Sequence, residues 1–181
     1  MTAKPITSFS GEYRFLSNFW LSPVSWGDRL TPPTIFCCVE VPYQAAKTLE
    51  PAERTTMLSV TKPSQAKRWG RTLTLRPDWD KVKVDIMLDL VSSKFVQSLE
   101  LQDLLLATGE RELIEGNHWG ALFWGKASRD DPKEGIKAGE GCNVLGKILM
   151  HVRSCLRDGK NPWFPSPEWF EQLVHDQPKA A

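Results

Sequence analysis

The stretch Thr34-Ile-Phe-Cys-Cys-Val-Glu-Val-Pro-Tyr-Gln-Ala-Ala-Lys47 decides how the chain is organised. Its first part is β-branched, aromatic or apolar and follows the turn signal Pro32-Pro33, so the run up to Val41 predicts a strand. From Tyr43 the pattern becomes helical, and Pro51 is expected at the first position of a second helix. Glu40 is therefore a carboxylate where a strand meets a helix, a common place for functional side chains.

Helices dominate the chain beyond this corner. The predicted helices are a short one over 64–69, a long amphipathic one from an Asp78 cap to about Ser98, one over 101–107, one from an Asn143 cap to Gly159, and a last short one starting at Ser166-Pro167. Between them, a short strand and tight turns are predicted over 112–125 and a loop over 126–141. Together they predict a mainly helical α+β fold, a single compact domain with two or three short strands.

Composition limits the class of protein. Of 181 residues, 41% are hydrophobic and 25% charged, which are ordinary globular values. No apolar run reaches the ~20 residues of a membrane span, and the N-terminus lacks a signal-like stretch, so we expect a soluble, cytoplasmic protein without a membrane partner. The net charge of +1 excludes a strongly basic nucleic-acid clamp but permits a local basic patch. The cysteines and histidines lack metal-ligand spacing, so no zinc site is expected from them.

Candidate chemistry begins at the strand-to-helix corner. With a raised pKa, Glu40 can act as an acid or a base, although a helix cap or an ion-pair partner would use the same residue. Gln44 and Lys47 share one helix face with Tyr43 nearby. Lys47 suits a phosphate or, if desolvated, acts as an amine nucleophile; the alternative is a solvated lysine.

Two loops add further candidates. The polar pair Ser17-Asn18, framed by Leu16 and Phe19, fits a ligand-binding loop or a simple Asx or ST turn. The stretch 139–143 leads into a helix whose free N-terminal amides suit a phosphate. The eight tryptophans fit either stacking on bases or a large aromatic core.

These pieces occur in the order seen in the NADAR (YbiA-like) family, which the chain resembles over residues 9–156. The motifs include Leu16-Ser-Asn-Phe19, Glu40 followed by Tyr43-Gln44-x-x-Lys47, Trp79, Lys94-Phe95, Trp124-Gly125 and Gly141-x-Asn143-x-Leu145-Gly146. The resemblance implies a compact YbiA-like N-glycosidase domain, without metal or cofactor, over residues 1–158. Residues 159–181, rich in Trp and Pro, are then an extension whose short helix packs on the domain, pairs with a toxin or forms a homodimer.

The resemblance also implies the site. Catalytic roles fall to Glu40, Lys47 and Lys94, and to the position of Ala121, where the family carries Asp. Substrate-binding roles fall to Ser17, Asn18, Phe19, Tyr43, Gln44, Trp79, Trp119, Trp124, Gly125, Gly141 and Asn143.

The implied activity is hydrolysis of an N-glycosidic bond. We expect removal of ADP-ribose from ADP-ribosylated guanine in a nucleotide or single-stranded DNA, in an antitoxin or repair role, with ADP-ribose as product and a DNA ADP-ribosyltransferase toxin as a partner. One alternative is an N-glycosidase for ribosylamino-pyrimidine phosphates of riboflavin synthesis. Another is a non-catalytic reader of ADP-ribose or a nucleotide.

Ala121 is a departure with a chemical consequence. Breaking a C1'–N bond develops oxocarbenium-like charge, for which paired carboxylates are the natural apparatus. A methyl in place of one carboxylate weakens chemistry more than binding. Ala121 therefore indicates either an inactivated Asp-to-Ala form or a member that works differently. One such mechanism is a Schiff base on Lys47 or Lys94.

Overall fold

A computed structural model describes residues 3–175, which form short strands and seven α-helices. A 3₁₀ helix spans Gly11–Leu16, and the strands are β1 (Val24–Trp26), β2 (Thr34–Phe36), β3 (Gly116–Asn117) and β4 (Lys126–Ala127). The helices are α1 (Glu40–Ala45), α2 (Pro51–Leu58), α3 (Pro63–Trp69), α4 (Trp79–Val96), α5 (Leu99–Ala107), α6 (Val144–Arg157) and α7 (Pro167–His175). The mainly helical α+β prediction is confirmed, with four short strands in the described part of the chain rather than two or three.

Contacts divide the chain into two compact units. One unit is residues 18–101, and the other comprises the described residues 3–17 and 102–175. Across residues 3–175, none of the helices is long and apolar enough to cross a membrane.

In the unit of residues 18–101, helix α4 packs against a two-stranded antiparallel sheet. β1 pairs with β2 in the register Val24 opposite Phe36. The Ser93 hydroxyl of α4 accepts the Ser25 N–H at 3.0 Å and donates to the Ser25 carbonyl at 2.8 Å. Helix α1 contacts α2, α3 and α4. This arrangement places α1, and Glu40 with it, inside the unit.

The predicted strand up to Val41 is wrong in its second half. β2 ends at Phe36, and the chain bends through Cys37–Val39 before α1 begins at Glu40. Cys38, Val39 and Val41 are all buried, which alternation along a half-exposed strand would not give. A short apolar run does not by itself distinguish a strand from a buried turn and helix start.

The other unit is built around α6. Ile6 forms a parallel bridge with Leu113, and β3 pairs with β4 in parallel. Leu145, Ile148, Leu149 and Val152 form a buried apolar stripe along α6, and Leu156, one turn further on, is half-buried. The ring of Trp169, on α7, lies 4.3 Å from the ring of His151 on α6.

Both predicted polar caps make other bonds. Asp78 and Asn143 precede α4 and α6 as expected, but neither side chain caps its helix. The Asp78 carboxylate accepts two hydrogen bonds from the Arg76 guanidinium, at 2.6 and 2.9 Å. In contrast, Pro51 and Pro167 do start their helices, because their fixed φ suits a first helical turn.

Candidate functional site

Glu40 is a buried carboxylate at the first position of α1. Its side chain is 6% exposed, and its backbone N–H donates to the Asn18 carbonyl at 3.2 Å. One helical turn further on, the Gln44 Nε2 donates to Glu40 Oε1 at 2.8 Å. The i, i+4 spacing of the helix makes this bond possible. Glu40 and Gln44 are thus in direct contact.

Burial dominates the protonation of Glu40. Loss of solvation raises the pKa of its carboxyl, while the Gln44 hydrogen bond and the charges of Lys67 and Lys47 act in the opposite direction. A carboxyl with a raised pKa holds its proton closer to neutral pH than an exposed one does. Glu40 can therefore both donate and accept a proton during a reaction.

An aromatic pair lies beside this carboxylate's helix. The rings of Tyr43 and Trp79 are 5.2 Å apart at an angle of 56°. The Lys47 Nζ stands 5.9 Å from the centre of each ring. The predicted residues Glu40, Tyr43, Gln44, Lys47 and Trp79 are thus brought together within the unit of residues 18–101.

Two further cations join the cluster, and the sequence did not single them out. Burial lowers the pKa of the Lys47 ammonium, Glu40 raises it, and the positive charges of Lys67 and Arg71 lower it further. The Lys67 Nζ also lies 5.5 Å from the centre of the Phe19 ring. Lys67 belongs to α3 and Arg71 follows that helix. The signal in the sequence is the basic character of the segment after Thr61, which forms no recognisable motif.

Two predicted residues face α4 or belong to it. The Asn18 Nδ2 lies 3.4 Å from Met87 Sδ, and its buried Oδ1 has no hydrogen-bond partner among the described residues. Lys94 is 1% exposed, and burial lowers the pKa of its ammonium to about 7, with Cys38 opposing. The pKa of the Cys38 thiol is itself raised to about 12, chiefly by burial. At neutral pH a large share of Lys94 is thus the neutral, nucleophilic amine.

Ala121 lies in a turn that the Asn117 side chain holds in place. The Asn117 Oδ1 accepts the Ala121 N–H at 2.9 Å, and its Nδ2 donates to the carbonyls of Ala121 and Lys126, both at 3.1 Å. Gly125 completes the turn, with its N–H on the Ala121 carbonyl at 3.2 Å. The backbone of residue 121 is thereby fixed whatever its side chain.

The amides at the start of α6 are not free, contrary to the sequence prediction. The N–H groups of residues 142–145 each donate to a carbonyl of residues 122–125, at distances between 2.7 and 3.2 Å. Asn143 adopts a left-handed conformation with φ of 54°. Its side chain accepts the Glu115 N–H at 3.0 Å and donates to the Leu113 carbonyl at 2.8 Å. These backbone amides therefore offer no phosphate site.

The remaining predicted residues differ in exposure. Trp119 is 54% exposed, while Trp124 is half-buried and meets Phe123 edge-on with ring centres 4.8 Å apart. The Ser17 N–H closes the 3₁₀ helix by donating to the Arg14 carbonyl at 3.1 Å. Gly141, with φ of +134°, has no room for a Cβ, which would lie 2.3 Å from the Gly125 carbonyl oxygen. Their roles toward a substrate stay predictions.

No cluster of three metal-ligating side chains occurs in residues 3–175. The side chains considered as metal ligands are those of His, Cys, Asp and Glu. The cluster around Glu40 consists instead of a buried acid, several cations and aromatic rings, which suit an anionic substrate with a ring system.

Comparison with known proteins gives the class to which this arrangement belongs. The NADAR domain matches residues 7–157. The N-glycosidase YbiA of Escherichia coli K12 is 33% identical over 151 residues, covering 82% of this chain and 85% of that protein. The solved NMR structure of E. coli YbiA superposes with a TM-score of 0.72 at 31% identity and covers 88% of both chains.

In a second relative, the matching region is only part of a larger protein. A riboflavin biosynthesis protein of Vibrio vulnificus is 34% identical over 146 residues, which is 80% of this chain but 36% of that one. The chain belongs to the NADAR family, whose members include proteins named N-glycosidases.

Proposed function

We propose that the chain is an N-glycosidase that removes ADP-ribose from ADP-ribosylated guanine in DNA, in an antitoxin or repair role. The observation that carries this proposal is a group of three cations beside the buried Glu40 carboxyl, in which Lys47 and Lys67 act on Glu40 and Arg71 acts on Lys47. A diphosphate-bearing ribose offers the charge that such a group neutralises. The names of the relatives support the reaction type.

Glu40 is the proton-handling group in this mechanism. In its protonated form, which burial favours, it donates to the departing guanine nitrogen as the C1'–N bond breaks. The resulting carboxylate then accepts a proton from the water that attacks C1'. Lys47 and its neighbours bind the phosphates, and the Tyr43–Trp79 pair contacts the base or ribose.

Ala121 removes one carboxylate from the family arrangement. The resemblance implies a second acid–base group at this position, and its loss slows the chemical step while binding is retained. Because Ala121 carries only a methyl group, the competing hypothesis is a non-catalytic protein that binds ADP-ribose without cleaving a bond.

Lys94 favours a second mechanism for the same reaction. Its amine has a pKa of about 7. It attacks C1' of the ring-opened sugar, the guanine amine leaves, and water hydrolyses the imine to free the lysine and the ADP-ribose aldehyde. Lys47, whose pKa burial also lowers, is the other candidate nucleophile. Borohydride reduction of the imine leaves a stable adduct on the lysine concerned, and hydrolysis without any trapped adduct supports the Glu40 route.

The riboflavin biosynthesis relatives favour one alternative substrate. A ribosylamino-pyrimidine phosphate has the same C1'–N bond and a single phosphate. Activity on a free nucleotide that equals activity on an oligonucleotide, and that is insensitive to salt, would support this smaller substrate.

The deciding experiment is mass-spectrometric turnover of an oligonucleotide that bears one ADP-ribosylated guanine. The present chain and its Ala121→Asp variant are compared at equal concentration. We expect the variant to release ADP-ribose faster, by at least about 100-fold. Binding without release by both proteins would indicate the reader, and absence of binding would indicate the small-metabolite glycosidase.

A further inference from the structure

Gly70 lies directly against the side chain of Gln44. A Cβ built on Gly70 would stand 1.8 Å from Gln44 Oε1, 2.5 Å from its Cδ and 3.1 Å from its Cγ. These distances are far below van der Waals contact. Any side chain at residue 70 and the present position of the Gln44 amide therefore exclude each other.

The backbone of Gly70 does not need glycine. Gly70 is the residue that ends α3, with φ of −57° and ψ of −12°, in the right-handed helical region that every L-residue adopts. Its N–H donates to the Ala66 carbonyl at 2.8 Å, as alanine would allow. The requirement for a missing Cβ comes from the neighbouring side chain and not from the conformation.

Gln44 connects this glycine to the acid. The amide is 5% exposed, and its Nε2 donates to Glu40 Oε1 at 2.8 Å. Its Oε1, which points at Gly70, has no hydrogen-bond partner among residues 3–175. No hydrogen bond from this oxygen therefore fixes the amide, and its placement depends on the space at Gly70 and the bond to Glu40.

We propose that Gly70 is a positioning residue for Glu40: it leaves the space that Gln44 occupies while Gln44 holds the carboxylate. The inference rests on the proposed function only in treating Glu40 as the acid–base residue, because the contacts among Gly70, Gln44 and Glu40 exist whatever the substrate. Gly70 acts on Glu40 through Gln44.

The groups that face Glu40 determine the direction of the effect. Gln44 from α1, Lys67 from α3 and Lys47 after α1 all lower the pKa of the Glu40 carboxyl, against the burial that raises it. The Glu40 backbone N–H faces the Cys38 thiol. A methyl group at residue 70 displaces the amide but leaves both lysines, so the pKa of Glu40 rises further.

The first test is an NMR titration of the Glu40 side-chain carboxyl carbon, assigned with Glu40→Gln. Four proteins are compared: the present chain, Gly70→Ala, Gln44→Ala and the double variant. We expect both single variants to titrate at higher pH than the present chain. The double variant should titrate together with Gln44→Ala, because no amide is left to displace. An unchanged titration in Gly70→Ala, or an additional shift in the double variant, overturns the proposal.

The second test follows turnover in the same four proteins, each in the Ala121→Asp background. Gly70→Ala should lower kcat by about 10- to 100-fold with little change in KM, and it should add nothing to the loss caused by Gln44→Ala. Melting temperature separates misfolding from mispositioning. The flexible end of Gln44 can move aside, so thermal stability should be nearly unchanged. If no protein turns over the substrate, the proposed function fails while the titration still decides the role of Gly70.

Discussion

Glu40 occupies a position that is unfavourable for its charged form. Burial raises the pKa of the carboxyl, and one hydrogen bond and two lysines compensate in part. A carboxyl whose pKa is higher in the folded than in the unfolded protein contributes stability at pH below its unfolded pKa. That contribution is lost as the pH rises toward the folded pKa. At neutral pH, Glu40 therefore reduces the free energy of unfolding.

Glu40→Gln tests this balance between stability and chemistry. The neutral amide avoids the cost of burying a charge, so we expect the free energy of unfolding at pH 7 to rise by about 1 kcal/mol, or ~2–4 °C in melting temperature. In the Ala121→Asp background, turnover should fall by about 100- to 10,000-fold. Calorimetry and the mass-spectrometric assay measure the two effects. Glu134→Gln, at an exposed position, is the control and should change neither.

Lys94 predicts a stability change on the alkaline side. Its pKa is about 7 in the folded protein against an ordinary 10.5, so the unfolded chain binds the extra proton between these pH values. Stability from this residue therefore rises with pH across that window, by at most about 1.4 kcal/mol per pH unit. Urea unfolding of the present chain and of Lys94→Met should show a steeper rise in the present chain. Parallel curves would contradict the buried, titrating lysine.

At the scale of elements, long periodic segments were predictable and corners were not. α4 and α6 were predicted from apolar spacing, and α2 and α7 from a starting proline. The prediction of a strand up to Val41 failed before Glu40 because a buried turn and a strand carry the same apolar residues. The prediction of free amides at the start of α6 failed because the carbonyls of residues 122–125 accept hydrogen bonds from those amides. A local sequence pattern does not show such contacts between separate segments.

The segment that leads into α6 contains two glycines, Gly139 and Gly141, whose replacement by alanine should reduce stability by different amounts. Gly141→Ala should lower the free energy of unfolding by about 2–4 kcal/mol, because φ is +134° and the Cβ would lie 2.3 Å from the Gly125 carbonyl oxygen. Gly139→Ala is the matched control: its φ is +77°, a Cβ there would lie an ordinary 3.8 Å from Arg129 Nε, and the substitution should cost about 1 kcal/mol. Equal losses in denaturant titrations would exclude a tight turn at Gly141.

On the scale of the whole molecule, charge is balanced overall but uneven locally. The net charge is +1, yet Lys47 and Lys67 both act on the buried carboxyl of Glu40, and Arg71 acts on Lys47. The Gln44 and Lys47 candidates came from spacing along one helix, and Glu40 came from its place between a predicted strand and that helix. Lys67 and Arg71 come from another part of the chain and join them only through tertiary packing, which local spacing does not encode.

This uneven charge predicts a shallow salt dependence of binding. If these three cations supply the phosphate contacts, the logarithm of oligonucleotide affinity should fall with the logarithm of salt concentration with a slope of about −2. Fluorescence anisotropy between low and physiological salt measures the slope. A slope steeper than about −4 would mean that the chain contacts an extended strand elsewhere. Lys67→Gln should reduce the slope, whereas Lys133→Gln, at an exposed lysine, should not.

The hydrogen bonds between the Asn117 side chain and the backbone of residue 121 have an evolutionary consequence. Its amide holds the backbone of this residue from both sides, so the turn keeps its shape when the side chain changes. A single base change in an alanine codon creates an aspartate or glutamate codon. Lineages that carry this turn can thus gain or lose an acidic group in one mutational step without first evolving a new loop.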